Sequence, residues 1–408
     1  MKRIKQIIFS DFFDTLTNGA LVLFAYWYIY DVTHNQNYIS LLGLISMLAT
    51  LFTFIGGYLS DRMNRIALLK IVVLIRILNT SFGLVIYLLM NNPILGVMMT
   101  VVINSVLNIV YSPLTESIVP SIVHDRDDLV TANSWVSITN QLASVLSAGL
   151  SAIFIFFGNV GAGLVLSLIL YSVSYFLIGR LNSTQAPEAN HEASSSFSIQ
   201  TSNFFEGIKI IRSNTLIAVI VPIALVTNFC FWTVWLLMPK MSIDIFSEFK
   251  YMYNAVDLAF TVGSILGAFL VNAKHSDTKI FTAKSFPYFL FLQGFMILLI
   301  GFFSLLQRGI FGVVLAWLGY GICNATGSIL YFSTVQLSVP NQHIGMVIGA
   351  ILTIFSVANP IAAIASAPLS HLAATPSIVL CLGLVMMIAA IPVFSKKVIS
   401  DLIKVDAD

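Results

Sequence analysis

The chain has 408 residues, of which 58% are hydrophobic and only 9% charged. A soluble domain carries about 25% charged residues, so with a mean hydropathy of +0.93 most of this surface must face lipid. The net charge of +2 gives no basis for binding nucleic acid. Cys230, Cys323 and Cys381 lie inside apolar runs without short spacing, which argues against a disulfide framework or a zinc site.

A bilayer core needs about 20 apolar residues per helix. Read between polar breaks, the first half gives spans at Ile7–Tyr30, Tyr38–Ser60, Ile66–Met90, Pro93–Thr115, Thr131–Phe157 and Gly161–Leu181. Met1-Lys2-Arg3-Ile4-Lys5 runs straight into an apolar stretch longer than a signal-peptide core, so this start is read as the first span. Asn182 to Asn203, rich in Ser, Thr, Asn and Gln, reads as a flexible linker, and Phe204 to Arg212 as a short amphipathic surface helix. The second half gives Thr215–Met238, Asn254–Ala273, Phe281–Leu305, Ile310–Phe332, Ile344–Leu369 and Ser377–Phe394. The expectation is an all-α membrane protein of twelve transmembrane helices in two six-helix bundles. These occupy residues 1–181 and 214–408, with a linker over 182–213.

Lys and Arg placement sets the expected orientation. With both termini in the cytoplasm, that side collects nearly all of them, leaving Lys240, Lys250 and Arg308 outside and Arg76 within a span. The halves also echo one another. Asn104, Asn108, Tyr111, Glu116 and Pro120 in and after the fourth span match Asn324, Ser328, Tyr331, Gln336 and Pro340 at one constant offset. Such internal symmetry is what a transporter built from two repeats shows.

The second-to-third loop reads Gly56-Gly57-Tyr58-Leu59-Ser60-Asp61-Arg62-Met63-Asn64-Arg65. This resembles the G-x-L-x-D-R-x-x-R signature of the major facilitator superfamily, with Asn64 where a small residue is usual. The resemblance implies the major facilitator fold and a cytoplasmic latch made by Gly57, Asp61, Arg62 and Arg65. Glu116, close to the cytoplasmic end of the fourth span, is expected to contact the Asp61 loop rather than bind substrate. Within the superfamily the chain is similar to the macrolide-efflux branch. Ser112-Pro113-Leu114-Thr115-Glu116-Ser117-Ile118-Val119-Pro120 and Leu129-Val130-Thr131-Ala132-Asn133-Ser134 carry that likeness. It implies proton-driven efflux of bulky amphiphiles or siderophores. Where many antiporters carry a Gly-Pro pair in the fifth span, this chain reads Ser147-Ala148-Gly149-Leu150-Ser151-Ala152. The second-half copy of the loop signature is degraded to Val271-Asn272-Ala273-Lys274-His275-Ser276-Asp277. The sequence holds no Gly-rich Lys-Ser/Thr phosphate loop, so ATP hydrolysis by that route is excluded.

A charge inside a span costs at least about 2.5–3.5 kcal/mol on insertion scales, so each one needs a reason. Asp11, Asp14 and Asn18 fall within an arc of about 60° on one face of the first span. Asp14, the deeper carboxylate, is the expected proton carrier, with Asp11 beside it and Asp257 in the eighth span as another candidate. The ordinary alternative for the first two is an anchor in the cytoplasmic mouth. Arg76 either attracts an anionic substrate or pairs with Asp11 or Asp14.

The resemblance implies that the first, fourth, seventh and tenth spans line the cavity. Their polar and aromatic stripes supply Asn104, Asn108 and Tyr111, then Asn228 and Trp232, then Tyr320, Asn324 and Tyr331. Trp235 and Trp317 read instead as headgroup-level aromatics. The six histidines show no ligand spacing.

The expected function is a proton-coupled secondary exporter of a small amphiphilic solute, working by alternating access, without metal or cofactor. It is expected to act as a monomer in a bacterial inner membrane. The alternative is a proton-coupled nutrient importer. A membrane-embedded enzyme or receptor would need a nucleophile–base set or a soluble sensor domain.

Overall fold

The computed structural model describes residues 2–90, 92–122, 126–180, 206–273, 283–306, 309–339 and 343–407. Among them there is no strand. The chain divides into two compact units, Met1–Ser194 and Ser195–Asp408. The first holds α1 (Lys2–Thr33), α2 (Gln36–Leu51), α3 (Thr53–Arg62), α4 (Arg65–Met90), α5 (Pro93–Ile122), α6 (Arg126–Phe157) and α7 (Val160–Gly179). The second begins with a short helix α8 over residues 206–213. It continues with α9 (Thr215–Asp244), α10 (Met252–Ala273), α11 (Phe286–Leu305), α12 (Ile310–Ser338), α13 (Ile344–Leu372), α14 (Thr375–Ala390) and α15 (Lys396–Ala407).

Among the described residues, 11 helices are long and apolar enough to cross a membrane. This is a multi-pass membrane protein. The remaining expected span, Tyr38–Ser60, is two helices rather than one, broken at Phe52. No proline marks the break. The Phe52 N–H bonds back three residues to Ala49 O (3.0 Å), and the Thr50 and Thr53 hydroxyls bond to Met47 O (2.7 Å) and Thr50 O (3.1 Å). Local bonds of this kind compete with the helical ladder. The expected linker lies mostly outside the described residues. The surface helix predicted just after it is α8, whose Ile211 is buried in the second unit's core.

Side-chain amides fix several helix starts. Asn35 accepts from the Asn37 N–H (2.9 Å), Asn159 caps α7, and Asn214 caps α9 through the Leu216 and Ile217 N–H groups. Gly158, at a φ of 60°, ends α6 in the left-handed conformation just before the Asn159 cap.

The two units repeat one packing scheme. In the first, α1 lies on α6 and α7, α4 lies on α5 and α7, and the α2–α3 pair lies on α5. In the second, α9 lies on α13 and α14, α11 lies on α12 and α14, and α10 lies on α12. Taken in span order these are the same pairings, so the sequence echo between the fourth and tenth spans belongs to a repeat of the whole architecture. The equivalent pairs α3·α5 and α10·α12 both close on glycine. A Cβ on Gly56 would stand 2.0 Å from Ile109 O, and one on Gly263 would stand 2.2 Å from Leu318 O. Without a strong hydrophobic drive between helices in lipid, such close approach is a principal source of association.

Trp317 corrects an expectation. It is fully buried, ringed by Phe231, Trp235, Phe260 and Tyr320 at centroid distances of 5.5–6.2 Å. A headgroup-level aromatic would be exposed at its rim. This one is core.

Candidate functional site

The first unit encloses a connected polar network in an otherwise apolar bundle. Asp14 on α1 and Arg76 on α4 form an ion pair whose side chains are each 1% exposed. A second guanidinium nitrogen of Arg76 donates to Asn108 Oδ1 on α5 (3.2 Å). The guanidinium lies 4.4 Å over the Tyr111 ring, and Tyr171 on α7 flanks it at 6.0 Å. Tyr111 donates its hydroxyl to Asp11 Oδ1 (2.9 Å), so the second carboxylate is tied to the aromatic platform under the cation. Asn79 Nδ2 donates to Asn104 Oδ1 (3.0 Å) and Thr100 O (2.9 Å), and Asn104 donates on to the Tyr171 hydroxyl (3.2 Å).

Four helices are joined in this way through groups that lipid cannot satisfy. A buried ion pair of this type is held by geometry, because desolvation offsets most of the Coulombic gain. Asp14 Oδ1, Arg76 Nε and Asn79 Oδ1 remain buried without a hydrogen-bond partner. A buried polar group left in that state costs free energy.

The structure thus brings together Asp11, Asp14, Arg76, Asn104, Asn108 and Tyr111 from the residues the sequence points to. Of the two alternatives for Arg76, it pairs with Asp14. Asn18, on the same face of α1, is half-buried and joins none of these bonds. Two members were not foreseen, Asn79 and Tyr171. Asn79 stands three residues after Arg76, on the same face of α4, and that spacing was the available signal. Tyr171 shares one face of its span with Ser167, Ser174 and Tyr175, and that helical spacing was its only signal. Ser10 and Ser174 add a hydroxyl bridge between α1 and α7 at 2.8 Å.

The latch residues are only partly visible. The surroundings of Gly57 and the side chains of Asp61, Arg62 and Glu116 lie outside what is described. Arg65 Nε donates to Ser60 O (3.2 Å), and Asn64 accepts from the Ala67 N–H (3.1 Å), so the unusual Asn64 caps α4.

The second unit has a cavity of about 320 Å³ between α9, α11, α12 and α13. Asn228, Trp232, Tyr320, Asn324 and Tyr331, all expected cavity residues, line it, joined by Gln293 on α11. Gly327 leaves the room that Gln293 occupies, since a Cβ there would stand 2.9 Å from its Nε2. Asn228 and Gln293 spend their N–H groups on backbone carbonyls of Ala224 (3.1 Å) and Cys323 (3.3 Å). Tyr331 is held between Phe286 and Phe355, each at 5.8 Å. No Asp, Glu, Lys, Arg or His lines the cavity. Asp257 on α10 is not among the lining residues, and among the described residues it has no ion pair or hydrogen bond.

A search among curated proteins gives no match. Solved structures match along nearly the whole chain. A nucleoside transporter, NupG, aligns at 14% identity and a TM-score of 0.72, covering 96% of this chain and 98% of its own. A POT family transporter in complex with a thioalcohol-conjugated peptide aligns at 14% identity and 0.73, covering 97% and 96%. A bacterial homologue of the human lysosomal transporter Spinster aligns at 10% identity and 0.63, covering 100% and 96%. At these identities the likeness establishes the fold. The sequence profile of the Major Facilitator Superfamily matches residues 7–363. With the repeated six-helix packing and the apolar spans, this settles the class: the chain belongs to the major facilitator superfamily of membrane transporters, which is not an enzyme class.

Proposed function

We propose that this protein is a proton-coupled secondary exporter of a small amphiphilic solute, a macrolide-like compound or a siderophore, working by alternating access. We place it as a monomer in a bacterial inner membrane, with both termini in the cytoplasm. The observation that carries the proton coupling is the buried Asp14–Arg76 pair with Asp11 one helical turn away on the same face. Protonation of Asp14 cancels the charge that directly pairs with the buried Arg76 and leaves it only the Asp11 carboxylate held on the Tyr111 hydroxyl, which is unfavourable. The unit then favours whichever conformation re-partners or hydrates the guanidinium. A proton thereby biases one state over the other, which is all that coupling requires. Asp257 is the second candidate carrier. The latch of Gly57, Asp61, Arg62 and Arg65, which the family signature implies, belongs to the same reading, with Glu116 as its contact from the fourth span.

Export rests on the likeness of Ser112–Pro120 and Leu129–Ser134 to the macrolide-efflux branch. An uncharged aromatic cavity in the second unit also suits an amphiphile. The test is proton release from respiring everted vesicles, read by a pH-sensitive dye as macrolides, cationic dyes and carboxylate siderophores are added in turn. A response to one class that disappears in Asp14→Asn supports antiport. Accumulation of a nutrient by energised whole cells, with no vesicle response, would replace this reading with proton-coupled import.

A further inference from the structure

On α5 the stripe Asn104, Asn108, Tyr111 surrounds a planar, hydrogen-bonding group, the Arg76 guanidinium, with Tyr111 beneath its face and Asn108 at its edge. At the constant offset, α12 carries Asn324, Ser328 and Tyr331. The helices around them pack in the same pairings, yet no side chain fills the equivalent role. On α11, the counterpart of α4, the polar side chain that lines the cavity is Gln293, and its N–H turns to the Cys323 carbonyl. The Tyr331 hydroxyl is buried with no hydrogen-bond partner, though the residue is only 4% exposed. Among the described residues the Asn324 and Ser328 side chains also make no hydrogen bond. All three border the cavity of about 320 Å³.

We propose that this cavity is a cargo subsite built within the second unit alone. It takes a planar, uncharged ring system with a hydrogen-bonding edge, packed against the aromatic wall that Trp232 contributes to and bonded by Asn324, Ser328 and the Tyr331 hydroxyl. The inference rests on the reading of the chain as a transporter of amphiphilic solutes, and it names the part of the cargo held there. Three physical points carry it. An orphaned buried hydroxyl is satisfied at no further desolvation cost when a ligand supplies the partner. The aromatic walls reward π-faces, and the cavity volume is at the lower bound of ordinary small-molecule pockets. An ionised ligand would enter with no opposite charge to meet it, and burying an unpaired charge is costly. Attraction of a cation to the aromatic faces is the one competing force, and the experiment is built to expose it.

The full chain in lipid nanodiscs is titrated with three planar probes of matched size: acridone (neutral, with a carbonyl and an N–H edge), N-methylacridinium and acridine-9-carboxylate. Binding is read by quenching of tryptophan emission, to which Trp232 in the cavity wall contributes. Acridone is expected to bind at least tenfold tighter than either ion. Tyr331→Phe should weaken acridone about three- to tenfold, the loss of one or two neutral hydrogen bonds, while leaving the melting temperature unchanged or raised. Asn324→Leu should weaken it further. If Asn324→Leu does not fold, Tyr331→Phe decides the matter, since it removes only an atom the free protein does not use. The proposal is overturned if either ion binds as tightly as acridone, or if both variants bind acridone like the wild type. It is also overturned if Tyr331→Phe lowers the melting temperature, which would show the hydroxyl already engaged inside the protein. Its failure is separable from failure of the exporter reading. Proton release with no acridone binding sinks the subsite alone, and acridone binding with no proton movement sinks the exporter alone.

Discussion

On α5 of the first unit, Asn104, Asn108 and Tyr111 are all bonded to other side chains of the chain, whereas on α12 of the second unit Asn324, Ser328 and Tyr331 border a cavity with no such bonds. The flanking helices pack in the same order in both units, so backbone architecture does not explain the contrast. The neighbouring helix does, α4 in one unit and α11 in the other. α4 brings a guanidinium into the bundle, and its charge recruits Asp14, Asn108 and the Tyr111 face. α11 brings a neutral amide that a single backbone carbonyl satisfies. One repeat is filled from within and the other is left open. A duplicated scaffold can therefore place charge chemistry in one copy and space for a ligand in the other.

The strongest way to break this comparison is to remove the charge. Arg76→Met leaves Asp14 buried and unpaired and should destabilise the protein by about 3–5 kcal/mol. Asp14→Asn together with Arg76→Met should recover most of that in a thermal or denaturant unfolding series. If the double variant is as unstable as the single one, the pair is not the organising centre of the network. Next in size is the matched tyrosine pair. Tyr111→Phe removes a hydrogen bond to a carboxylate and should cost about 1.5–3 kcal/mol, while Tyr331→Phe, lacking any partner, should cost nothing. Equal losses at the two sites would erase the distinction between the units.

The shared scaffold can be probed separately. Gly263→Val drives a side chain into the Leu318 carbonyl and should cost about 1–3 kcal/mol. Gly149→Ala has no atom within 4 Å of its new Cβ and should stay within about 0.5 kcal/mol of the parent. A modest effect is expected at the signature loop, where Asn64→Ala loses the α4 cap for about 1 kcal/mol. A neutral result there would mean that Asn64 is carried for a reason other than capping.

Several features were legible before any coordinates. Asp11 and Asp14 share a face because three residues on a helix nearly close a turn, and that spacing survives folding. The tenth-span stripe pointed to the cavity for the same reason. The break at Phe52 was not legible, because threonine hydroxyls and one backbone N–H make it and hydropathy is indifferent to them. Trp317 was misplaced because distance from a span's end gave it a headgroup role. Its burial depends on four rings, three of them from other helices.

Hydropathy and helical period are sums over neighbouring residues. By itself, therefore, the sequence determined that lipid is the solvent, that the spans fall into two repeats, and which faces carry polar groups. Pairing across helices is not such a sum. Asp14 and Arg76 lie 62 residues apart, and only the packing of α1 beside α4 and α5 makes Arg76 a partner for the carboxylate rather than a lure for an anion. The same is true of Tyr331. Its hydroxyl is chemically that of Tyr111, and only the absence of a facing carboxylate leaves it unpartnered in the cavity wall.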